Sequence, residues 1–453
     1  MKKFMNNQLG MKFGFVLFLF LLLQIPVSMI EDLISERSYR QQEVQQDIAR
    51  SSSGEQRIMG PFINIQYTET ITNKDKEFML ERQAFILPDT FNLTSHLESF
   101  EKYRGIYKAR LYQAQTDLNG EFDLSSLDDL SEFTIDKVSM VVGISDSRGL
   151  INLGELSLNG QSIEVEPGTG MNQMTQGFHK KLDIDTLDTS KPLTFDLNFL
   201  LQGMGNLQIT PIGNNTSVKL SSSWPHPSFI GDYLPISSDI QETGFTAQWA
   251  TNNFSTNITQ LFDKCMSDNT ECYELNGRQM GVDLIDPVDH YLKSHRAVNY
   301  SLLVITLIFA SFFLLELFQA RPIHPIQYGF VGLALALFYL LLISLSEHTG
   351  FNWAYLVSAI ASTALLSVYV GGMLNNRKHG SIFGISLLIL YGLLFGLLQA
   401  ESYALLMGTL LCFVVLSFVM VMTRNVNWYE RSAKAANAEP QSDHDADFED
   451  SKQ

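Results

Sequence analysis

Residues 298–423 are so apolar, broken only by short polar interruptions, that no water-soluble core could absorb them. The block divides into five runs: Val298 to Gln319, Gln327 to Ser346, Trp353 to Leu374, Ile382 to Ala400 and Ala404 to Thr423. Each is close to the ~20 residues a helix needs to cross a bilayer core. A sixth run, Phe13 to Ile30, lies near the N-terminus, and the stretch between the two regions is polar and strand-like. The expected fold class is a polytopic α-helical membrane protein with a large β-rich, sandwich-like extracytoplasmic domain.

Basic residues give that arrangement a direction, because Lys and Arg in short flanks resist translocation. Lys2, Lys3, Lys12, Arg321, Arg377, Lys378, Arg424, Arg431 and Lys434 can all lie on one side, whereas Glu347 to Asn352 and Glu401 to Tyr403 contain no Lys or Arg. The pattern predicts a cytoplasmic segment at 1–12, an anchor helix at 13–30, an exported domain with a helical stalk at 31–297, a five-helix bundle at 298–423 and a cytoplasmic tail at 424–453. Pro26 to Glu31 offers no small-x-small cleavage pattern, so the first run is read as a retained anchor.

Charge is distributed unevenly. Residues 31–297 hold 38 acids against 21 bases, which accounts for the whole-chain net charge of −17. Such a surface repels nucleic acid and anionic headgroups.

From residue 58 the apolar period is two: Ile63, Ile65 and Tyr67 alternate with polar residues, as do Leu193, Phe195, Leu197 and Phe199. Further strands are expected at 78–87, 106–114, 138–144, 151–158, 162–166, 207–211, 218–223 and 245–249. Asn119-Gly120, Asn159-Gly160 and Asn276-Gly277 tolerate positive φ and read as hairpin or turn signals. Many short strands in one stretch imply a sandwich or two stacked sheets.

No nucleophile elbow, Walker loop, zinc-protease helix or dinucleotide fingerprint occurs, and the nine histidines are not at metal-ligand spacing. The sequence therefore nominates no catalytic, cofactor-binding or metal residue. Glu166-Pro167-Gly168-Thr169-Gly170 lacks the Lys and helix of a phosphate loop and reads as a turn. Trp224-Pro225-His226-Pro227-Ser228-Phe229, followed by Gly231-Asp232-Tyr233, is a rigid aromatic segment expected to lack regular ladder pairing. It is either a structural crossover packing Trp224 and Phe229 or a contact surface that includes His226 and Asp232. Cys265 and Cys272 are expected to pair in an oxidising compartment, while Cys412 lies inside the last helix.

In the helices, Glu316 is the one acid well inside a run and is expected to snorkel or pair with Arg321 or His324. Ser344, Ser346, Glu347 and His348 form a polar outer end. Glu347 and His348 are expected to contact the exported domain, with 224–233 as the nearest rigid partner. Gly392 and Gly396 have the spacing of a close helix contact. Trp428 and Tyr429 read as an interfacial anchor, and residues 437–453 as a disordered acidic tail.

The chain resembles the CreD family of inner-membrane, cell-envelope integrity proteins. The resemblance runs in order through Ser51-Ser52-Ser53-Gly54 with Gly60-Pro61, Glu166 to Gly170, Trp224 to Phe229, Ser346-Glu347-His348-Thr349-Gly350-Phe351 and Thr423-Arg424-Asn425. It implies a multi-pass protein of the bacterial inner membrane with a role in envelope maintenance, and it supplies no catalytic residues. The Cys265 and Cys272 pair and the acidic tail depart from the family pattern. The expected partners are the lipid bilayer and an unidentified envelope protein or cell-wall component. The alternative is a six-helix transporter or channel with an accessory periplasmic domain.

Overall fold

The computed structural model describes residues 8–73, 76–267, 272–286, 290–319, 323–399 and 404–424. Readings that rest on Lys2, Lys3, Arg321, residues 401–403, Trp428, Tyr429 and the acidic tail fall outside the described residues, as does the side chain of Glu316. Contacts divide the chain into two compact units, Arg40–Pro287 and Met1–Tyr39 with Val288–Gln453.

The first helix, α1 (Gln8–Ser51), is continuous through the expected boundary between anchor and stalk. The strands that follow are β1 (Gln56–Asn73), β2 (Lys76–Ile86), β3 (Thr90–Arg104), β4 (Tyr107–Phe122), β5 (Thr134–Ile144), β6 (Leu150–Leu158), β7 (Gln161–Ser162) and β8 (Glu166–Pro167). After them come β9 (Gly177–Leu182), β10 (Leu193–Met204), β11 (Asn206–Ile209), β12 (Asn215–Ser222), β13 (Pro227–Gly231), β14 (Ser237–Gln241), β15 (Gly244–Asn252) and β16 (Met280–Leu284). Among the described residues, three short helices, α2 (Asn253–Thr256), α3 (Ile258–Ser267) and α4 (Cys272–Gly277), separate β15 from β16.

The described strands form two eight-stranded sheets. One runs β13-β16-β11-β1-β5-β9-β8, with β2 added on β1; the other runs β14-β15-β12-β3-β4-β10-β6-β7. Alternation explains their pairing. Leu193, Phe195, Leu197, Phe199 and Leu201 bury one face of β10, and Phe91, Leu93 and Leu97 bury one face of β3. Both faces enter a single core with Ile58, Phe62, Ile63 and Ile65 from the other sheet. Ser95 is the polar exception on β3, and its hydroxyl is satisfied 3.0 Å from that of Thr116, its cross-strand neighbour.

The end of α1 is fixed inside this unit. Ile48 is buried with Ala109 and Leu111. Arg148 donates to the carbonyl of Arg50 and pairs with Asp146, whose carboxylate accepts from the Gly54 amide at 3.0 Å. A guanidinium on a helix's last carbonyls satisfies groups that have no intrahelical partner.

Several turn assignments differ from expectation. Asn159 and Gly160 do make the tight turn between β6 and β7, with φ of 49° and 73°. Asn119-Gly120 instead lies within β4, because Gly105 at φ 65° already turns the chain between β3 and β4. Gly120 is needed for space, since a Cβ there would run into the carbonyl of Thr90. Asn276-Gly277 ends α4 and joins no hairpin. The strand expected at 162–166 is split into β7 and β8, which belong to different sheets.

The helical unit contains the N-terminal part of α1 with α5 (His290–Asn299), α6 (Ser301–Gln319), α7 (Pro325–Thr349), α8 (Phe351–Met373), α9 (Arg377–Gln399) and α10 (Ala404–Thr423). Among the described residues, α1 from Gly14, α7, α8 and α9 are each long and apolar enough to cross a bilayer. The pair α5 and the first part of α6, bent by 41°, adds a fifth span if counted as one, and Leu406–Val421 of α10 is a shorter apolar helix. Helix α7 starts sharply, with His324 as its cap and Pro325 in its first turn. Its Tyr328, Val331, Leu335, Tyr339 and Leu342 are buried, while Phe330, Leu333, Leu337 and Leu341 stay exposed. Exposed apolar residues at helical spacing form a face suited to lipid.

Close helix contact is made by glycines other than those expected. A Cβ on Gly392 or Gly396 would meet nothing within 4 Å. On Gly384 it would collide with the Ser367 hydroxyl, and on Gly380 it would come within 2.6 Å of the Ser367 carbonyl. The same four-residue spacing therefore works one span-half earlier on α9, on the face turned to α8, where a missing side chain lets backbones approach.

Candidate interaction site

The segment 224–233 is more regular than its two prolines imply. Strand β13 pairs antiparallel with β16 from Pro227 to Gly231, which corrects the expectation of no ladder pairing. Proline is tolerated here because β13 is an edge strand and Pro227 is its first residue. Gly231, at φ 97°, closes the strand where a Cβ would strike the carbonyl of Gln279.

Packing divides the nominated residues. Phe229 lies inward, with ring centroids 6.1 Å from Phe245 and 5.7 Å from Trp249. Asp232 is at the surface, 3.6 Å from Arg278. Trp224 is anchored by its indole N–H, which donates to the carbonyl of Ile285 at 2.9 Å. Its ring remains half-buried, with His226 exposed beside it at a centroid distance of 5.4 Å.

The Arg110 guanidinium stacks on the Trp224 ring, 3.5 Å from its centroid. Arg110 also pairs with Glu101 at 2.5 Å and with Asp286 at 3.6 Å. Lys108 bridges the same two carboxylates at 3.0 and 2.9 Å. Burial works against the charged forms of both Glu101 and Lys108. It is outweighed: hydrogen bonds from Tyr103 and Lys108 and the nearby cations hold the Glu101 pKa below the usual range. Bonds to Asp286 and Glu101 likewise raise that of Lys108. Two cations and two carboxylates thus form one network, joined to the tryptophan through Arg110.

Nothing in the sequence reading singled out Glu101, Lys108, Arg110 or Asp286. The available signal was Arg104-Gly105-Ile106. Reading the β3–β4 turn there puts Glu101 directly opposite Arg110 and leaves Lys108 on the same face two residues away.

The cysteines nominated as a pair are joined, with Cα atoms 4.3 Å apart, and Cys265 is buried. Among the described residues no three His, Cys, Asp or Glu side chains are grouped to hold a metal ion. A shallow groove of about 750 Å³ on the second sheet is lined by Asp117, Glu155, Ser157, Asp196 and Asn198.

In the helical unit, Glu347 is a half-buried acceptor. The Tyr291 hydroxyl donates to it at 3.1 Å, and Arg37 Nε lies 3.6 Å away. Both partners fall within 31–297 by number, yet both belong to the unit that contains the helices. Lys293, Gln399 and Asn352 continue the polar line with contacts of 3.3 and 3.1 Å. Ser346 is buried with its hydroxyl on the Ile343 carbonyl, while His348 is exposed.

A family model described as inner membrane protein CreD matches residues 8–429. The chain is 36% identical over 416 residues to the inner membrane protein CreD of Escherichia coli (strain K12), covering 90% of this chain and 91% of that protein. Among solved structures, a substrate-bound mutant of an M1 zinc metallopeptidase from Deinococcus radiodurans aligns with a TM-score of 0.20 and 9% identity, covering 36% of this chain and 39% of that one. The unmutated form of the same peptidase gives a TM-score of 0.19. At such scores the likeness carries no argument.

Proposed function

Since the chain belongs to the CreD family of inner membrane proteins, we propose that it maintains the cell envelope without catalysis, by presenting its β-rich unit in the periplasm to an envelope partner. The carrying observation is the face around Trp224. A half-buried tryptophan stacked on Arg110, with His226 exposed alongside, combines the residue types that dominate protein interfaces. Their ionic neighbours satisfy one another, so the face is rigid and its cost of ordering on binding is small. In this reading both termini are cytoplasmic, as the basic flanks favour.

Two measurements test it. Alkaline phosphatase fused after Asn276 is active and fused after Lys378 inactive; the opposite result at either site removes the orientation. A photo-cross-linker at His226 in intact cells gives an envelope adduct absent from a control at exposed Ile151. Equal adducts at both sites, together with full rescue of envelope stress by His226→Ala and Asp232→Ala, rule out the contact face.

A transporter is the second reading, and one observation favours it. The hydroxyls of Tyr339, Ser358 and Thr363 are buried in the helical unit with no hydrogen-bond partner among the described residues. Nearby, Tyr355 donates to the Tyr391 carbonyl at 2.8 Å, and the Ser362 and Tyr391 hydroxyls are 3.0 Å apart. Unsatisfied hydroxyls at a helix interface can serve a polar solute. Flux through proteoliposomes that is lost in Tyr339→Phe would establish this reading over the first.

A further inference from the structure

Strand β2 has a neighbour on one side only, β1, and its outer edge is unpaired among the described strands. The outer part of the β1–β2 hairpin projects past the core. Ile63 and Ile65 are buried, and Tyr67 packs on Phe133 at 5.2 Å. Farther out, Ile71 opposite Phe78 and Glu69 opposite Leu80 continue the same face, where Arg82 pairs with Glu69 at 3.2 Å and Ile71, Phe78 and Leu80 are exposed. Phe78 is 51% exposed, Met79 77% and Leu80 40%, and every residue from Glu77 to Gln83 is exposed. The open edge therefore presents three apolar side chains, Phe78, Met79 and Leu80, between the charges Glu77 and Glu81, and an open edge is a template for pairing with another chain.

We propose that this arm is a homodimerisation element, in which β2 pairs antiparallel with β2 of a second copy about a two-fold axis at Leu80. Exposure and charge together choose the register: the axis must lie within the exposed stretch, because Phe85 packs on Phe262 and Ile86 is buried, and it must not oppose like charges. Two-fold pairing of identical edges sets residues of the same face opposite each other, so the axis must fall on a residue. An axis at Met79 opposes Glu77 to Glu81 on both sides, and an axis at Glu81 opposes that residue to itself. Like charges directly across a ladder are destabilising. An axis at Phe78 runs Glu81 and Arg82 past Lys76, where β2 begins. With the axis at Leu80, Leu80 meets Leu80, Phe78 meets Arg82, Met79 meets Glu81 and Glu77 meets Gln83, so no like charges are opposed.

A lipid surface fits the arm less well. The unpaired backbone N–H and C=O groups of the edge would be left unsatisfied in hydrocarbon, whereas a second strand satisfies them. Anchoring of both copies in one bilayer raises their effective concentration, which lets a small interface suffice.

Single cysteines placed at 78, 79, 80, 81 and 82 of the full chain, in a Cys412→Ser background, test this in native membranes under mild oxidation. Leu80→Cys is expected to give at least about tenfold more covalent dimer than Phe78→Cys or Arg82→Cys, whose own copies lie ~13 Å apart along the strands, beyond disulfide reach. Co-expressed Phe78→Cys and Arg82→Cys chains are expected to cross-link to each other. Leu80→Glu, at an exposed site, is expected to shift the native mass from dimer to monomer without changing the melting temperature. No product at Leu80, equal product at all five sites, or a dimer that survives Leu80→Glu overturns the proposal. So does quenching of a label at residue 80 by lipid-borne quenchers in the absence of cross-links.

Discussion

Replacing Arg110 with Met keeps an apolar stem beside Trp224 but deletes the charge that ties together Glu101, Asp286 and the ring. The loss has two parts. A cation over an aromatic face contributes about 0.5–2 kcal/mol, depending on desolvation. Exposed ion pairs contribute about 0–1 kcal/mol, and breaking buried ones costs about 3–5 kcal/mol. Arg110 and Glu101 side chains are 11% and 25% exposed, so the pair lies between these limits, at about 2 kcal/mol. Lys108 still faces both carboxylates in the variant, which limits the damage. The total is about 3 kcal/mol, or roughly 6–12 °C in the melting of a unit of this size. Tryptophan fluorescence of the full chain in detergent reads it, because Trp224 and Trp249 both lie in the β unit. The pH dependence supplies a second check. Glu101 has a depressed pKa when folded, so its stabilising contribution is complete above the unfolded value of about 4.3 and is lost as pH falls through the folded value. The gap between wild type and Arg110→Met should therefore be full at neutral pH and close on acidification. A loss under about 1 kcal/mol, or a gap unchanged in acid, refutes the assignment of Arg110 as the keystone of this face.

Gly384→Val should destabilise the helical unit by about 1–3 kcal/mol through its collision with Ser367, while Gly392→Val, in open space, melts like wild type; equal effects would break the assignment of the α8–α9 contact. Cys265 and Cys272 should resist thiol labelling in denaturant until reductant is added, and labelling of both without reductant excludes the bond. Glu347→Ala removes the acceptor of the Tyr291 hydroxyl and the counter-ion of Arg37, and should lower thermal stability by about 1–2 kcal/mol, with His348→Ala silent. Cross-linking from position 348 to residues 40–287 tests whether that end also engages the β unit.

The apolar runs specified membrane helices by length alone, since ~20 consecutive apolar residues have no other stable setting. Period-two alternation specified half-buried strands such as β1, β3 and β10, whose side chains must face opposite ways in turn. Both are local signals, and both survive in the fold. Which glycine contacts which helix was not local: Gly380 and Gly384 share their spacing with Gly392 and Gly396, and only the neighbour on that face of α9 separates them. Turns behaved similarly, because Asn119-Gly120 has a hairpin's chemistry but lies in a strand whose reversal Gly105 had already made. The pairing of β13 with β16 joins Pro227 to Leu284 across much of the unit, and no residue of the Trp-Pro-His-Pro segment announces it. Arg110, Glu101, Lys108 and Asp286 came together for the same reason. Adjacent residues determine conformation, but a site assembled from distant strands depends on register, and register is set by the whole sheet.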